Sequence, residues 1–450
     1  MKCLLERLSS YELTDVLWLS PSVGQIDVNR LIQAFQCVDS TKWKGKRVGI
    51  GALPVVEFVS SLVFLDGLAH SIVLLPLEDD EQTREKRLEQ AGIDIVIEGE
   101  GLNFTELLVQ SKTSVSSGIP HSIARDSSSA VQTSWLLPTS GTTGTPKLIP
   151  HTFTTLTRSM TERRIGDGYK WASLYSLRRF AGLQVFLQSW MCNTPLILNE
   201  DFTNLSDVII NLVNLGCNAL SATPSMWRKL AMHPLFEQLA LKQITLGGEI
   251  VDQAILDMLT NKFPSSRITH IYASTEAGVG FAVRDGRAGF PIDYLQHPPS
   301  GVAMHIDDQN HLWFSSSEGL KLGGITSSNW IDSGDVVEKK IDRVVFLGRA
   351  NGSINVGGNK VMPEEIESVI KELPEVSFVQ VRARKSAILG NLVEAAITPI
   401  PGISIDANFK KKVTEHCRSR LDAFKVPAFI VSTDIIELNA SGKLSRISAE

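Results

Sequence analysis

The sequence predicts an α/β fold followed by a small α+β domain, and three observations predict it. Short β-branched runs alternate with helical patterns from Lys46 to Ser274, the order that builds a parallel, doubly wound sheet. From about Gly301 the pattern changes to short strands separated by Gly and Asp, which is typical of a small β-rich unit. After Arg349 helical and strand patterns alternate again, so we expect a large domain over 1–350 and a separate one over 351–450.

The α/β part begins with RVGIGAL, a short strand pattern that starts at Arg47. VVEFVSSLVFLDGLAH follows with apolar residues at helical spacing, and SIVLLPL is a second buried strand. The charged pattern EDDEQTREKRLEQAG predicts a helix that ends at Gly92, before the strand DIVIEG. Later elements are a helix over 205–215 and the strands TPLIL, NALSATP, QITLGGE and ITHIYAS. The Ser-rich, aperiodic stretch 112–129 is predicted to be a loop.

The last third of the chain has its own order of elements. VAMHIDDQNHLWFSS and VVEKKIDRVVFLGR predict the strands of the β-rich unit. PEEIESVIKELP predicts a helix with Pro363 at its start, a favoured first helical residue. VSFVQVRAR and NLVEAAITP then predict strands, and ANFKKKVTEHCRSRLDAF predicts a second helix.

The composition excludes several classes of protein. Of the 450 residues, 43% are hydrophobic and 21% are charged, which favours a packed core over wholesale disorder. The 44 basic and 49 acidic residues give a net charge of −5, so nucleic acid is not expected as a partner. The five cysteines are scattered without a C-x-x-C pair, which disfavours a disulfide framework or a zinc site and favours a reducing compartment.

The apolar stretches are too interrupted for a membrane span. The most apolar one, 55–75, contains Glu57, Asp66 and His70, and it falls short of the roughly 18 uncharged residues that a span needs. Glu6 and Arg7 interrupt the N-terminal apolar run, so no secretory signal is predicted. We therefore expect a cytoplasmic protein.

The strongest local motif is Thr139-Ser-Gly-Thr-Thr-Gly-Thr-Pro-Lys147, which follows the strand pattern SWLLP. The next residues, LIPHTFTTLTRSM, are interpreted as a helix. Gly141 and Gly144 allow a tight turn that brings backbone N–H groups close to a polyanion, and the hydroxyls and Lys147 add donors and positive charge. The spacing is not that of a Walker A loop. A surface turn is the alternative, but nine such consecutive positions after a strand favour a triphosphate site.

This loop closely resembles the phosphate loop of the ANL adenylate-forming superfamily: acyl- and aryl-CoA synthetases, nonribosomal-peptide adenylation domains and luciferases. Four further motifs resemble family motifs in the family's order. They are Tyr272-Ala-Ser-Thr-Glu276, Trp330-Ile-Asp-Ser-Gly-Asp335, the crossover from Gly348 to Glu367, and Leu438-Asn-Ala-Ser-Gly-Lys443. The resemblance implies two stacked α/β subdomains with a small β-barrel, followed by a small mobile α+β C-terminal domain.

The resemblance also implies a role for each matching residue. Seven loop residues would bind the phosphates of ATP: Thr139, Ser140, Gly141, Thr142, Thr143, Gly144 and Lys147. Thr275 would contact the α-phosphate and Glu276 would hold Mg²⁺, for which a carboxylate oxygen is a suitable ligand. Tyr272 would stack on adenine. Gly247, Gly248 and Glu249 would line both the adenine site and the acyl pocket. Asp335 would accept the ribose hydroxyls, and Arg349 would contact ribose or phosphate.

Lys443 matters most for the first reaction step that the resemblance implies. Its ammonium would offset the repulsion between a substrate carboxylate and the α-phosphate of ATP. Bland alternatives stay open for these residues: a solvated acid for Glu276, core packing for Tyr272, a turn residue for Asp335, an interdomain ion pair for Arg349 and a solvated terminal Lys443.

The sequence departs from the family pattern at several places. Asn351, followed by Gly352, occupies the usual Asp or Lys position of the hinge, and both residues tolerate unusual backbone angles. In Tyr175-Ser-Leu-Arg-Arg-Phe-Ala-Gly-Leu183, Arg179 and Phe180 lie where family members line the substrate pocket; Arg179 could equally make a surface ion pair. An F-D-x-S motif for an amino acid substrate is missing. The small residues around Gly278 favour a modest pocket.

The resemblance therefore implies activation of an aryl or medium acyl acid by MgATP to an acyl-adenylate, with release of pyrophosphate. Transfer to the thiol of CoA would follow, with Gly357 and Gly358 lining its approach and AMP released. The phosphopantetheine of an acyl carrier protein, or an amine, is an alternative acceptor. A noncatalytic nucleotide- or acyl-binding protein is the alternative from another class. A redox enzyme is disfavoured, because Gly49-Ile-Gly51 lacks the third glycine of a dinucleotide fingerprint.

Overall fold

The computed structural model describes residues 3–99, 101–106, 132–139, 147–160, 168–199, 202, 204–299, 302–315, 330–386, 390–433 and 444. The chain divides into two compact units. The first comprises Met1–Ser221 and Leu235–Ile244, and the second comprises Ala222–Pro234 and Thr245–Glu450. Helices and strands alternate as expected, and the predicted α/β class is confirmed.

The first unit contains a five-stranded sheet whose order is β5-β3-β4-β6-β7. Its strands are β3 (Arg47–Ile50), β4 (Ser71–Leu74), β5 (Ile95–Ile97), β6 (Ser134–Thr139) and β7 (Lys147–His151). Strands β3 to β6 are parallel, and β7 is antiparallel to β6. Every residue of β4 is buried, which is typical of a strand covered on both faces.

A second group of strands in this unit has the order β2-β1-β9-β8-β10. They are β1 (Val16–Ser20), β2 (Gly24–Asp27), β8 (Trp171–Ser173), β9 (Leu196–Ile197) and β10 (Ala219–Ala222). Strands β1 and β2 form an antiparallel hairpin, whereas β1, β9, β8 and β10 are parallel neighbours.

The first unit also contains a set of helices. They are α1 (Leu4–Arg7), α2 (Val28–Gln36), α3 (Val55–Leu65), α4 (Glu81–Ala91), α5 (Phe153–Thr157), α6 (Phe180–Met191) and α7 (Leu205–Asn214). The side chain of Asp80 accepts the backbone N–H of Thr83 at the start of α4, a stabilising N-cap. Gly92 ends α4 with φ +58°, a left-handed conformation that favours glycine.

One predicted element is wrong. The pattern LIPHTFTTLTRSM predicts a helix, but β7 spans Lys147–His151 and α5 begins only at Phe153. The segment pairs with β6 in the register Leu137↔Ile149 and Thr139↔Lys147, and pairing between residues ten or so positions apart outweighs local helical spacing. The predicted loop 112–129 lies outside the described residues.

The second unit begins with two helices, α8 (Pro224–Ala231) and α9 (Gln253–Lys262), on either side of β11 (Gln243–Gly247) in the chain. Strands β12 (Arg267–Ser274) and β13 (Gly278–Val283) then form an antiparallel hairpin. An antiparallel sheet follows in the order β14-β18-β17-β16-β15. Its strands are β14 (Phe290–Pro291), β15 (Ala303–Ile306), β16 (His311–Ser315), β17 (Trp330–Lys339) and β18 (Arg343–Arg349).

The C-terminal residues of this unit have a hydrophobic core of their own. Strands β19 (Ile354–Val356), β20 (Asn359–Val361), β21 (Val376–Ser386), β22 (Gly390–Pro399) and β23 (Phe429–Ser432) form one sheet. Helices α10 (Pro363–Ile370) and α11 (Ala407–Arg418) pack on it through Ile366, Ile370 and Val413. The domain boundary expected after residue 350 stays a prediction.

Within the part of the chain that the structure describes, no helix combines the length and the apolar character needed to cross a membrane.

Candidate active site

The predicted phosphate loop connects two neighbouring antiparallel strands. Strand β6 ends at Thr139 and β7 begins at Lys147, and these two residues are paired in the sheet. The loop therefore leaves the carboxyl end of a strand that runs parallel to β4, the edge at which open α/β sheets bind ligands. Lys147 is exposed. The other loop candidates lie outside the described residues: Ser140, Gly141, Thr142, Thr143 and Gly144.

Thr275 and Glu276 lie in the turn that joins β12 to β13, and both are half-buried. The hydroxyl of Ser274 accepts the backbone N–H of Ala277 at 3.0 Å and fixes this turn. Gly278 follows with φ +75°, a conformation that side chains with a Cβ rarely adopt. The motif thus presents a hydroxyl and a carboxylate at the tip of a hairpin.

The ring of Tyr272 packs among three phenylalanine rings. Its centroid lies 5.3 Å from that of Phe281, 5.1 Å from that of Phe314 and 5.1 Å from that of Phe346, with nearly parallel planes. Burial, together with the negative charge of Asp335, holds the pKa of the Tyr272 phenol well above its ordinary value. The phenol therefore stays protonated and its O–H donates a hydrogen bond to Asp335. Stacking on adenine stays a prediction beside this core packing.

Asp335 is buried and receives hydrogen bonds from two motif residues. The Tyr272 hydroxyl donates to Oδ2 and the Nε of Arg349 donates to Oδ1 at 2.9 Å. Asp335 and Arg349 are direct cross-strand partners on β17 and β18. The backbone N–H of Asp335 also donates to the hydroxyl of Ser333 at 3.0 Å. Three residues that the sequence placed in three separate motifs therefore form one cluster.

Charge balance in this cluster favours a permanently cationic Arg349. Burial works against the charge, but the negative charges of Asp335 and Glu276 outweigh it and raise the pKa of the guanidinium. Arg349 also donates to the carbonyl of Ser333 at 3.1 Å. The cluster offers a fixed carboxylate beside a fixed cation, which is suited to a sugar diol next to a phosphate.

Glu249 accepts two backbone N–H groups that are far apart in the chain. Its Oε2 accepts from Ser225 at 2.9 Å and its Oε1 accepts from Leu444 at 2.7 Å. Gly247 is the last residue of β11, and Gly248 lies between that strand and Glu249. Lys443 itself lies outside the described residues, but its successor Leu444 is fixed by this contact.

The sequence did not predict a buried cluster of charged residues around Asp252. Asp252 forms ion pairs with Arg228 at 2.6 Å and with Lys371 at 3.4 Å. Although burial opposes ionisation, these two cations lower the pKa of Asp252 to about 2. Asp252 also caps α9 by accepting the N–H of Ile255. The cap could have been predicted from an Asp before a helical pattern, whereas the two cations could not.

In the first unit, the structure distinguishes two neighbouring arginines. Arg179, the predicted pocket residue, precedes α6 and forms an ion pair with Glu78. Arg178 is the buried one: its guanidinium lies 4.3 Å from the centroid of Phe58 and donates to the carbonyl of Ile50 at 3.2 Å. Burial lowers its pKa to about 10.

Two other predicted site residues have clear positions. Phe180, the first residue of α6, packs against the ring of His151 with centroids 5.8 Å apart. Asn351 is exposed in the short turn Ala350–Gly352. Their predicted roles in the substrate pocket and in the hinge stay predictions.

Comparison with protein families gives two matches in chain order. The model described as AMP-binding enzyme matches 59–312, which is more than half of the chain. The model described as AMP-binding enzyme C-terminal domain matches 365–443.

Among curated proteins, the chain is 23% identical over 419 residues to a 2-succinylbenzoate–CoA ligase of Lactococcus lactis subsp. lactis (strain IL1403), and the match covers 89% of each chain. It is 25% identical over 411 residues to surfactin synthase subunit 1 of Bacillus subtilis (strain 168), covering 80% of this chain and 11% of that protein.

Among solved structures, the anthranilate CoA ligase AuaEII in complex with anthranoyl-AMP has a TM-score of 0.77 at 18% identity, covering 98% of this chain and 94% of that one. The amide bond synthetase McbA from Marinactinospora thermotolerans has a TM-score of 0.72 at 16% identity, covering 98% and 97%. These structures share the fold.

Proposed function

Because this chain belongs to the AMP-binding enzyme family of the ANL superfamily, we propose that it activates a carboxylic acid with ATP and passes the acyl group to CoA. The observation that carries the proposal is the cluster of Tyr272, Asp335 and Arg349, in which three family motifs meet through direct hydrogen bonds. If Asp335 were only a turn residue and Arg349 only part of an unrelated ion pair, there would be no reason for these three motif residues to bind one another.

In the proposed reaction, Asp335 binds the ribose. A carboxylate has about four lone-pair sites, and the contacts with Tyr272 and Arg349 use two of them. The other two can accept a vicinal pair of hydroxyls. Because Tyr272 and Arg349 already orient the carboxylate, the sugar meets a fixed acceptor and less conformational entropy is lost on binding.

Glu276 is the proposed ligand of Mg²⁺. Its carboxylate is half-buried at a hairpin tip and provides the hard oxygen that this ion prefers. Among the described residues no group of three His, Cys, Asp or Glu side chains could hold a metal. This fits an ion held by one carboxylate and by the phosphates of its nucleotide. When bound, Mg²⁺ neutralises part of the phosphate charge.

Lys443 and Thr275 are the proposed catalytic residues of the first step. A carboxylate oxygen of the acid forms a bond to the α-phosphorus of ATP, and the bond from that phosphorus to pyrophosphate breaks. The lysine ammonium stabilises the two anions as they approach each other. In the second step the thiol sulfur forms a bond to the acyl carbon, the proton of the thiol passes to solvent, and AMP leaves.

CoA is the proposed acceptor, and an aryl or medium acyl acid is the proposed substrate class. The similarity to a 2-succinylbenzoate–CoA ligase and to the fold of an anthranilate CoA ligase supports both. A carrier-protein thiol is the second candidate acceptor, supported by the similarity to a surfactin synthase subunit.

The proposed domain division is 1–350 and 351–450, with Asn351 in the hinge. Support comes from the separate hydrophobic core of the C-terminal residues, which includes Val361, Ile366 and Val393. The exposed turn Ala350–Gly352 provides residues whose backbone angles can change without disturbing that core.

The test is ATP–pyrophosphate exchange with a panel of aryl, short, medium and long acyl acids. We expect exchange that depends on one class of acid and on Mg²⁺, and that falls at least 100-fold in Lys443→Ala. CoA, carrier proteins and amines added to an active mixture then identify the acceptor by the product formed. Nucleotide binding without exchange for any acid would refute the proposal and favour a noncatalytic protein.

A further inference from the structure

The segment 247–252, Gly-Gly-Glu-Ile-Val-Asp, makes two contacts with residues more than a hundred positions later in the chain. The carboxylate of Glu249 accepts the backbone N–H of Leu444 at 2.7 Å. The carboxylate of Asp252 forms an ion pair with the ammonium of Lys371 at 3.4 Å. Lys371 follows α10 directly, and Leu444 follows Lys443. Both partners therefore belong to the C-terminal sequence that carries the proposed catalytic lysine.

Both carboxylates are also bound by residues of α8 and α9. The second oxygen of Glu249 accepts the N–H of Ser225 in the first turn of α8, where a negative charge is favourable. Asp252 is held by Arg228 at 2.6 Å and by the N–H of Ile255 at 3.0 Å. Because the pKa of Asp252 is lowered to about 2 by Arg228 and Lys371 against the effect of burial, this carboxylate is ionised at neutral pH.

The N–H that Glu249 accepts belongs to the peptide bond between Lys443 and Leu444. A backbone N–H bound to a carboxylate is a charge-assisted hydrogen bond, stronger than a neutral one. The burial of Lys371 and Asp252, with 14% and 6% of their side-chain surfaces exposed, protects the second contact from screening by salt.

We propose that Glu249 and Lys371 are positioning residues for adenylate formation: their contacts hold the segment that carries Lys443 where its ammonium can act. This inference rests on the proposed function, which gives Lys443 its role in the first step. It adds that Glu249 acts through Lys443 rather than by touching adenine. Loss of either contact therefore slows the first step and leaves the second unchanged.

The test compares the two half-reactions in Glu249→Gln. The glutamine keeps the shape but has one acceptor oxygen for two N–H groups. We expect kcat of ATP–pyrophosphate exchange to fall about 10- to 100-fold, with KM for ATP within about 2-fold. Thioester formation from added acyl-adenylate and CoA stays within about 2-fold. Lys371→Met gives the same pattern with a loss of about 5-fold, because Asp252 keeps Arg228.

A double variant separates positioning from direct contact with the nucleotide. If Glu249 acts through Lys443, Glu249→Gln causes no further loss of exchange in a Lys443→Ala background. The matched control is Glu367→Gln, because Glu367 also accepts a distant backbone N–H, that of Val381 at 2.8 Å, but lies within the C-terminal sheet and helices. This control changes both half-reactions by the same factor.

Hydrogen–deuterium exchange of the peptide that contains Leu444 tests the contact without any activity. Glu249→Gln should speed exchange of that amide, whereas Glu367→Gln should not. The inference would be overturned if Glu249→Gln left the rate of pyrophosphate exchange at its wild-type value, or if it slowed both half-reactions equally. It would also be overturned if Glu249→Gln slowed pyrophosphate exchange further in the Lys443→Ala background. If the wild-type protein catalysed no pyrophosphate exchange, the proposed function would be refuted. The effect of Glu249→Gln on hydrogen exchange at the Leu444 amide would then still test the contact between these two residues.

Discussion

Substitution of Asp335 by Asn removes the charge of the proposed ribose acceptor and keeps its volume. Asp335 is 7% exposed, and both of its oxygens already bind protein donors, the Tyr272 hydroxyl and the Arg349 Nε. The asparagine has one acceptor oxygen, which Arg349 occupies, and its NH₂ group cannot accept. At least one ribose hydroxyl therefore loses its partner.

The size of the effect follows from the hydrogen bond that is lost. A hydrogen bond to a charged acceptor contributes about 1.5–3 kcal/mol, equivalent to roughly a 10- to 150-fold change in kcat/KM. The wild-type protein should therefore prefer ATP over 2′-deoxy-ATP or 3′-deoxy-ATP by about that factor. In Asp335→Asn we expect kcat/KM for ATP to fall by a similar factor and the preference over at least one of the two deoxy analogues to fall below about 3-fold.

The assay is pyrophosphate exchange with ATP, 2′-deoxy-ATP and 3′-deoxy-ATP at saturating acid. The control is Glu338→Gln, an exposed carboxylate on the same strand that pairs with Lys340 at 3.6 Å; it should leave the preference unchanged. If Asp335→Asn keeps the wild-type preference against both deoxy analogues, Asp335 does not bind the ribose and the site is wrongly assigned.

Three further predictions concern the residues around this site and the core. Tyr272→Phe keeps the ring in place but removes the donor to Asp335, and should lower kcat/KM for ATP by about 10-fold; steady-state exchange kinetics measure it, and an unchanged value contradicts it. Arg228→Met leaves Asp252 short of one cation and should lower the free energy of unfolding by about 3–5 kcal/mol at pH 7. Arg228 and Lys371 lower the pKa of Asp252 from its ordinary value of 3.8 to about 2, although burial opposes this. The difference should therefore be present above about pH 4 and disappear as the pH falls through 2; urea unfolding across this range checks it, and a pH-independent difference contradicts it. Gly182→Ala would place a Cβ 2.2 Å from the carbonyl oxygen of Ser176, whereas in Gly352→Ala the nearest atom is 3.8 Å away; thermal and urea unfolding should show a loss of about 2 kcal/mol or more for the first and a change within about 1 kcal/mol for the second, and equal stabilities would refute the packing argument.

Much of the fold followed from local patterns. The end of α4 at Gly92 and the start of α10 at Pro363 were predictable because a left-handed glycine and a first-turn proline have local causes. The strand Lys147–His151 was not, since its conformation depends on pairing with β6 across a loop. Local helical spacing gave no sign of that partner.

The site was predictable as a set of motifs but not as a set of contacts. Sequence order placed Tyr272, Asp335 and Arg349 in one proposed nucleotide site, yet the bonds among them depend on the register of β17 and β18. The pairing of Asp252 with Lys371 spans 119 positions and has no signature in the sequence. The burial of Arg178 and the ion pair of Arg179 with Glu78 could not be predicted from two adjacent arginines in the sequence, and the pocket role of Arg179 stays a prediction.

In the proposed first step, the acid attacks the α-phosphorus of ATP. An acid that supports exchange is labelled with ¹⁸O in both carboxylate oxygens, and AMP, pyrophosphate and thioester are analysed by mass spectrometry after a single turnover with CoA. We expect one ¹⁸O atom in AMP, one in the thioester and none in pyrophosphate. ADP with labelled inorganic phosphate, or AMP without the label, would contradict it.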